Sequence, residues 1–271
     1  MPLNYIVNFG DRDGTLYRIE IDNPDYSDNP IELIPSETPL ILSWEGNNDD
    51  DIFKTHVIPS SITIGVVSTG LDFDTLFYIN DASFKTRVYR SDELYWSGYL
   101  ISDGIQESDS GVPFDVNLSA IDGLQLLENT PLLWNNYSNG RINIGGVLNE
   151  QRASINAFRV ALYGTSNLDN RLPIRWNTSL KNDTRPTSDM IAGLTVINAR
   201  GDLSSLNYSN YWWLENLCKS AQSWLYQRNG RWYINRYFDT NGYEITTNTT
   251  SEQTPLSVVV NDVFDILPQD T

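Results

Sequence analysis

The 271-residue chain contains little of the chemistry that enzymes commonly use. It has one histidine, His56, and one cysteine, Cys218. Histidine is the most frequent general acid or base, and a lone cysteine cannot close an intramolecular disulfide or build a cysteine-based metal site. We expect His56 in a turn or at the surface between strands, and Cys218 buried as a small apolar side chain in a helix. These shortages predict that the protein is not an enzyme.

Recognisable cofactor and catalytic motifs are also absent. The chain has no Gly-x-Ser-x-Gly elbow, no phosphate-binding loop and no dinucleotide fingerprint. The oxygen-rich run Asn47–Asp51 lacks the spacing of a calcium-binding loop and is expected to be a solvated turn. The sequence therefore predicts no catalytic residue, no cofactor and no metal. An acidic-pair glycosidase stays open as an alternative, although nothing singles out two of the 35 Asp and Glu residues.

Positive charge is scarce as well. Against those 35 acidic residues stand only 18 Lys and Arg, so the formal net charge is -17. Such a surface repels phosphate backbones and anionic headgroups, which argues against nucleic-acid binding and membrane association. No apolar run is long enough for a membrane span or a signal peptide. The charge has two interpretations, solubility alone or a surface past which DNA moves without adhering.

The first half of the chain is rich in aromatic and β-branched residues in short alternating segments. Turn residues such as Asp13-Gly14 and Asn80-Asp81 separate these segments. This pattern predicts an antiparallel β-barrel or sandwich over residues 1–130. The predicted strands are LNYIVNFG, TLYRIEID, LILSWEG, SSITIGVV, TLFYIN, FKTRVYR, LYWSGYLI and FDVNLSAID.

The second half, residues 131–271, has a different pattern. Apolar residues at helical spacing predict two helices, Gly146–Tyr163 and Tyr211–Tyr226. Asn229-Gly230 between two alternating runs predicts a β-hairpin with a two-residue turn. The last apolar segment, LSVVVNDVFDIL, is expected to form a final strand or a docking arm. The predicted fold class is therefore α+β and β-rich, with a barrel or sandwich followed by a mixed α/β domain with two helices and a hairpin.

Aromatic residues cluster around the second predicted helix. Trp212 and Trp213 are adjacent, so they point about 100° apart on a helix, and at least one should face outward or sideways. An exposed tryptophan beside Tyr208 and Tyr211 suits a subunit contact or a sugar-stacking platform. These four residues are the candidate interface, and a carbohydrate-binding module is the main alternative function.

Short motifs occur in a characteristic order. LYWSGYL at Leu94–Leu100 is followed by a strand at Phe114–Ala120 and by IDGLQLL at Ile121–Leu127, and YQRNGRWYI at Tyr226–Ile234 follows a helix. This order resembles tail or baseplate hub-like proteins of bacteriophages and prophages, particularly those of Bacteroidetes hosts. The resemblance covers residues 1–240.

The motif residues themselves suit structural roles. Asp122 can accept hydrogen bonds from the N–H groups of a helical turn that begins there. Gly98 permits a bulge or a close approach of another backbone in a strand, and Gly123 permits close packing on the sheet. Neither glycine requires a ligand.

The resemblance implies a non-enzymatic virion protein, assembled in the bacterial cytoplasm and located at the distal end of the tail. It implies an oligomeric hub, commonly a trimer, or a tube-end or baseplate component that joins other tail proteins and lines a DNA channel. The acidic charge fits a channel wall that repels phosphates. No lysozyme-like or peptidase segment accompanies the motifs.

Overall fold

A computed structural model shows a mostly β-sheet protein. It describes residues 3–23, 28–45, 55–69, 83–101, 106–107, 113–130, 172, 174–177, 209–237, 246–247 and 258–259. These parts of the chain contain fourteen strands and one α-helix, α1 (Asn210–Ala221). The strands are β1 (Leu3–Gly10), β2 (Leu16–Asp22), β3 (Ile31–Trp44), β4 (Val57–Ile58), β5 (Ser60–Ser68), β6 (Lys85–Arg90), β7 (Glu93–Leu100), β8 (Gln106–Glu107), β9 (Phe114–Ile121), β10 (Ile174–Asn177), β11 (Ser223–Arg228), β12 (Arg231–Arg236), β13 (Thr246–Thr247) and β14 (Val258–Val259).

The chain divides into two compact units, each built from separate stretches of sequence. Unit 1 comprises Met1–Ile52, Ile58–Gln125 and Gln227–Arg231. Unit 2 comprises Phe53–Val57, Leu126–Tyr226 and Trp232–Thr271. The two continuous domains expected from the sequence, 1–130 and 131–271, stay a prediction.

Unit 1 is organised by one sheet in the order β5-β3-β1-β2-β6-β7-β9-β8, and β5 also pairs with β9. Its core is formed by the alternate residues of each strand that point to one face of the sheet. In the β5–β9 pair, Ile64 lies opposite Leu118 and Val66 opposite Val116, and all four are fully buried. Because successive side chains of a strand point to opposite faces, alternation of apolar and polar residues buries one face only.

The expectation of an antiparallel barrel or sandwich is wrong as stated, because the sheet is mixed. β1 and β3 run parallel, with Tyr5 opposite Ile31 and Val7 opposite Leu33. β2 returns antiparallel to β1, and β3 then starts beside the first residues of β1, on its other edge. A strand that starts at that end must run in the same direction as β1. Periodicity shows which residues are buried but not which strands become neighbours.

The predicted α/β domain with two helices is also wrong, because the described second half is mainly strands with one helix. The helix expected at 146–163 lies outside the described residues. The helix expected at 211–226 is α1, and it ends earlier. Gln222 takes the left-handed conformation, with φ 52° and ψ 51°, and its N–H caps the carbonyl groups of Cys218 and Lys219. The residues that follow form β11 instead.

The second sheet has the order β10-β12-β11-β4, and β13 pairs with β14. The predicted hairpin is present, since β11 and β12 are joined by Asn229 and Gly230 at φ 47° and 65°. Positive φ at both positions is the signature of the two-residue turn that Asn-Gly favours. No helix of the described residues is long and apolar enough to cross a membrane.

Gly65 marks an irregularity in the β3–β5 pair. The register shifts between Pro35 and Leu40, so that extra residues of β3 lie over Gly65. A Cβ at position 65 would overlap the Ser36 hydroxyl and the Thr38 carbonyl oxygen. Glycine at this position is therefore required by the close approach of backbone.

We predict that Gly65→Ala lowers the free energy of unfolding by about 2–3 kcal/mol, because the backbone at Thr38 must move to admit the methyl group. Equilibrium urea unfolding measures this. Gly10→Ala in β1 is the matched control, since its Cβ would lie 3.8 Å from the Thr15 carbonyl oxygen, an ordinary contact. Its effect should stay within about 0.5 kcal/mol. Equal losses of unfolding free energy in the two variants would contradict the requirement for glycine at position 65.

Candidate functional site

Two of the sequence motifs meet at a serine that belongs to neither. Trp96 on β7 is 1% exposed, and its indole Nε1 donates to Ser60 Oγ on β5 over 2.9 Å. Ser60 Oγ in turn donates to Asp122 Oδ2 over 2.8 Å. The chain Trp96–Ser60–Asp122 is fully buried, so every polar group in it depends on these bonds.

Asp122 closes the end of β9. Its Oδ2 also accepts from the Ser60 N–H at 2.7 Å, and its Oδ1 accepts from the Leu124 N–H at 3.0 Å. Its own N–H donates to the Ser60 carbonyl at 2.9 Å. A single 3-10 turn follows at Gln125–Glu128. The predicted role of Asp122 as acceptor for a following helical turn is confirmed.

Gly98 is a point of close approach. A Cβ there would overlap the carbonyl group of Ile121 and the ring of Trp96. The glycine therefore lets the Trp96 indole and the end of β9 pass against the backbone of β7. The expectation that Gly98 permits close backbone approach is confirmed.

Gln227 joins the third motif to the first. Its Oε1 accepts from the Ser97 N–H at 2.7 Å, and its Nε2 donates to the Ser97 carbonyl at 2.8 Å. Gln227 is 0% exposed and Ser97 1% exposed. The backbone carbonyl of Gln227 accepts from Trp44 Nε1 at 3.2 Å. One residue thus connects the hairpin tip to β7 and β3 within unit 1.

The turn residue Gly230 completes this connection. Its N–H donates to the Tyr95 carbonyl at 2.8 Å. A Cβ at Gly230 would overlap the Leu94 carbonyl oxygen, and its φ of 65° is unfavourable for other residues. The three motifs are therefore parts of one buried assembly in unit 1, which we call the motif junction: Ser60, Tyr95, Trp96, Ser97, Gly98, Asp122, Gln227 and Gly230.

The chemistry of the motif junction is that of a scaffold. Burial raises the pKa of Asp122 to about 7, against the three hydrogen bonds, which favour its ionised form. The three hydrogen bonds of the Asp122 carboxylate orient Ser60 and the turn that follows Asp122. Within the described residues no group of three or more His, Cys, Asp or Glu could hold a metal ion.

The candidate interface lies in unit 2, on the first turn of α1. The Ser209 hydroxyl caps this turn by accepting from the Trp212 N–H at 3.2 Å. Trp212 is 36% exposed and Trp213 7% exposed, and their rings meet edge to face at 5.2 Å. The prediction that one of the two tryptophans faces outward is confirmed. Tyr211 is half-buried, and Tyr208 lies outside the described residues.

Cys218 and His56 are both buried. Cys218 is fully buried, as predicted, and burial raises the pKa of its thiol to about 12. A surface position for His56 is wrong, because it is 9% exposed. His56 Nδ1 hydrogen-bonds to the Tyr237 hydroxyl, and burial lowers the pKa of the imidazole. The Asn47–Asp51 run lies outside the described residues.

Ser60 and Gln227 were not identified from the sequence. Their signal is nevertheless present in the strand alternation. In β11, Ser223 and Leu225 are buried, and Gln227 continues the same face. A polar residue at an inward position must find internal partners, and this requirement marks Gln227 as a candidate structural residue.

We predict that Gln227→Met lowers the free energy of unfolding by about 2–4 kcal/mol. Methionine has a similar length but makes neither hydrogen bond to the Ser97 backbone, and lost bonds to buried groups cost about 1–3 kcal/mol each. Urea unfolding followed by tryptophan fluorescence gives the value. As a control, Gln125→Met removes one exposed hydrogen bond to Glu45 and should cost less than about 0.5 kcal/mol. A loss at position 227 as small as the control would contradict the role of Gln227.

We predict a pH dependence of stability that Asp122 causes. Folding raises its pKa from 3.8 to about 7, so the folded chain holds the proton more tightly than the unfolded chain. Its contribution to the free energy of unfolding is therefore complete at low pH. It is lost as the pH rises from about 4 to about 7, by at most about 1.4 kcal/mol per pH unit.

The measurement is urea unfolding across that pH range, with wild type compared with Asp122→Asn. The difference in free energy of unfolding, wild type minus variant, should fall up to about pH 7 and stay level above it. Asp115→Asn, at an exposed position of β9, the strand that precedes Asp122, controls for the loss of one negative charge. A difference that is level or rises from pH 4 to 7 would refute the prediction.

Comparisons with known proteins give similarity at the level of solved structures. No protein-family model and no curated protein matches the chain. The chain is similar to the 43 kDa tail protein of prophage MuSo2 from Shewanella oneidensis, with TM-score 0.40 and 14% identity over 75% of this chain and 52% of that one. It is also similar to the tail protein from Neisseria meningitidis MC58, with TM-score 0.41 and 10% identity over 86% of this chain and 53% of that one. The chain spans about half the length of each of these two tail proteins.

Proposed function

We propose that this protein is a non-enzymatic structural component of a phage tail, an oligomeric hub or tube-end or baseplate subunit that joins other tail proteins. The observation that carries the proposal is the motif junction. The residues responsible for the resemblance to tail and hub-like proteins, Trp96, Gly98, Asp122 and Gly230, build a buried scaffold in unit 1. A shared scaffold is a reason for such motifs that needs no ligand and no reaction.

The charge of the chain supports the same role. A subunit that lines a DNA channel must not bind the phosphate backbone, and a net charge of -17 opposes such binding. The charge would also keep the subunit soluble before it is assembled into a tail in the bacterial cytoplasm.

The first turn of α1 is our proposed contact with other subunits or other tail proteins. Trp212 is exposed there beside Tyr211, and aromatic side chains contribute a large share of interface free energy. We propose that this contact is formed by the candidate interface, Tyr208, Tyr211, Trp212 and Trp213.

We predict that the chain is found at a fixed copy number in tails purified from the phage or prophage that encodes it. Trp212→Ala should reduce its incorporation several-fold, because an aromatic ring is lost from an interface. Its stability in urea should fall by only about 1 kcal/mol, the contribution expected of its edge-to-face contact with Trp213. Quantitative mass spectrometry of purified tails measures incorporation. Lys219→Ala, at another exposed position of α1, is the control and should be incorporated normally.

The proposed tail role and the two alternative functions predict different experimental results. Absence of the chain from purified tails would overturn the proposal. Selective binding on a glycan array would support a carbohydrate-binding module instead. Release of reducing sugars from polysaccharides would support a glycosidase.

A further inference from the structure

The turn of the hairpin is a chemically labile sequence. Asn229 is exposed to solvent, and Gly230 after it is buried. Asparagine is one of the thermolabile residues. It reacts most readily when glycine follows, because glycine has no Cβ to hinder the approach of its own backbone nitrogen. The pair that favours the two-residue turn is therefore also the pair most open to deamidation.

Deamidation of this pair takes place within the chain. The Gly230 backbone nitrogen bonds to Asn229 Cγ, and the side-chain nitrogen leaves as ammonia, which receives through water the proton that Gly230 gives up. The product is a succinimide ring. One water molecule then opens the ring at either carbonyl, so that residue 229 becomes aspartate or isoaspartate. In isoaspartate the backbone runs through the former side chain, which adds a methylene group to the turn.

The docked hairpin tip holds the Gly230 nitrogen away from this reaction. Its N–H donates to the Tyr95 carbonyl at 2.8 Å, so the nitrogen keeps the proton that it must lose. The Gly230 backbone also lies against the Leu94 carbonyl group, where even a Cβ would overlap. Closing the succinimide ring moves the Gly230 nitrogen towards Asn229 Cγ. The hairpin tip must therefore leave β7 before the ring can form.

Few bonds oppose that detachment. Gln227 is held by its two hydrogen bonds to the Ser97 backbone, at 2.7 Å and 2.8 Å, and by the bond from Trp44 Nε1 to its carbonyl at 3.2 Å. Detaching the tip breaks these bonds and the one to Tyr95, but the pairing of β7 with β6 and β9 can persist. Local openings of this kind require less free energy than unfolding of the whole unit.

We propose that Asn229 is a modification site gated by the motif junction: it is preserved while the hairpin tip is docked on β7, and it deamidates once the tip detaches. The added methylene of isoaspartate shifts Gly230 relative to Gln227, so the bonds to Tyr95 and Ser97 no longer form together. A reversible opening of the hairpin tip thereby becomes permanent. This property does not depend on the proposed role in a tail.

The test measures how fast aspartate and isoaspartate appear at position 229, by peptide mapping with mass spectrometry at mildly alkaline pH. The folded wild type should react at least about tenfold more slowly than the chain unfolded in urea, a factor equal to about 1.4 kcal/mol of opening free energy. Asn139 and Asn241 are also followed by glycine. In the unfolded chain all three should react at similar rates, which checks the chemistry.

Three variants separate local detachment from general loss of stability. Gln227→Met removes the bonds to Ser97 and should accelerate the reaction at position 229 at least about tenfold. Gly65→Ala destabilises unit 1 in the β3–β5 pair instead. At equal free energy of unfolding, adjusted with urea, it should accelerate the reaction less than Gln227→Met. Gln125→Met, which loses one exposed hydrogen bond, should react like the wild type.

Wild type alone gives a second measurement, which holds even if Gln227→Met does not fold. Below the unfolding transition, the logarithm of the rate should rise with urea less steeply than global unfolding predicts, because detachment of the tip exposes less surface. The purified isoaspartate form should unfold at lower urea than the unmodified chain.

The proposal is overturned if folded wild type reacts as fast as the unfolded chain. Equal acceleration by Gln227→Met and Gly65→Ala at equal stability, or the full urea dependence of global unfolding, would show that unfolding of the whole unit is the gate. An isoaspartate form as stable as the unmodified chain would contradict the permanent loss of docking.

Discussion

Unit 1 depends on the side chain of one glutamine that behaves like a peptide group. The amide of Gln227 offers one donor and one acceptor in the arrangement that a neighbouring strand would offer. The Ser97 N–H donates to its Oε1, and the Ser97 carbonyl accepts from its Nε2. A buried amide without partners would be strongly unfavourable, so this pair of bonds fixes where the hairpin tip lies. The Trp44 indole then binds the backbone of the same residue, which places the end of β3 as well.

Around this bond, the close packing of backbone explains the composition of the short motifs. Gly98 and Gly230 stand where a carbonyl group approaches too closely for any Cβ. Trp96 and Asp122 both form hydrogen bonds with Ser60. These bonds give partners to polar atoms that are buried in the core. The motifs are therefore short because each contributes only one to four residues to a junction that is assembled in three dimensions.

Local features of the fold could be predicted from the sequence, and pairing between distant segments could not. Strand alternation located β1 and β9, the Asn229-Gly230 pair located the hairpin, and Asp122 was recognisable as an acceptor. The parallel pairing of β1 with β3 and the bonds of Gln227 to Ser97 depend on contacts between remote residues, which no local pattern encodes. The early end of α1 was missed because a left-handed residue at that position is usually glycine, whereas here it is Gln222.

The position of the hairpin tip in the sequence also determines when unit 1 can complete its folding during synthesis. Unit 1 begins near the first residue of the chain but includes Gln227–Arg231, so its last structural component is synthesised late. Until then, the Ser97 backbone and the Tyr95 carbonyl lack their hydrogen-bond partners in the hairpin. Slow closure of such long-range contacts is a general cause of aggregation during synthesis. The strong negative charge of the chain, which keeps nascent copies apart, is well suited to that interval.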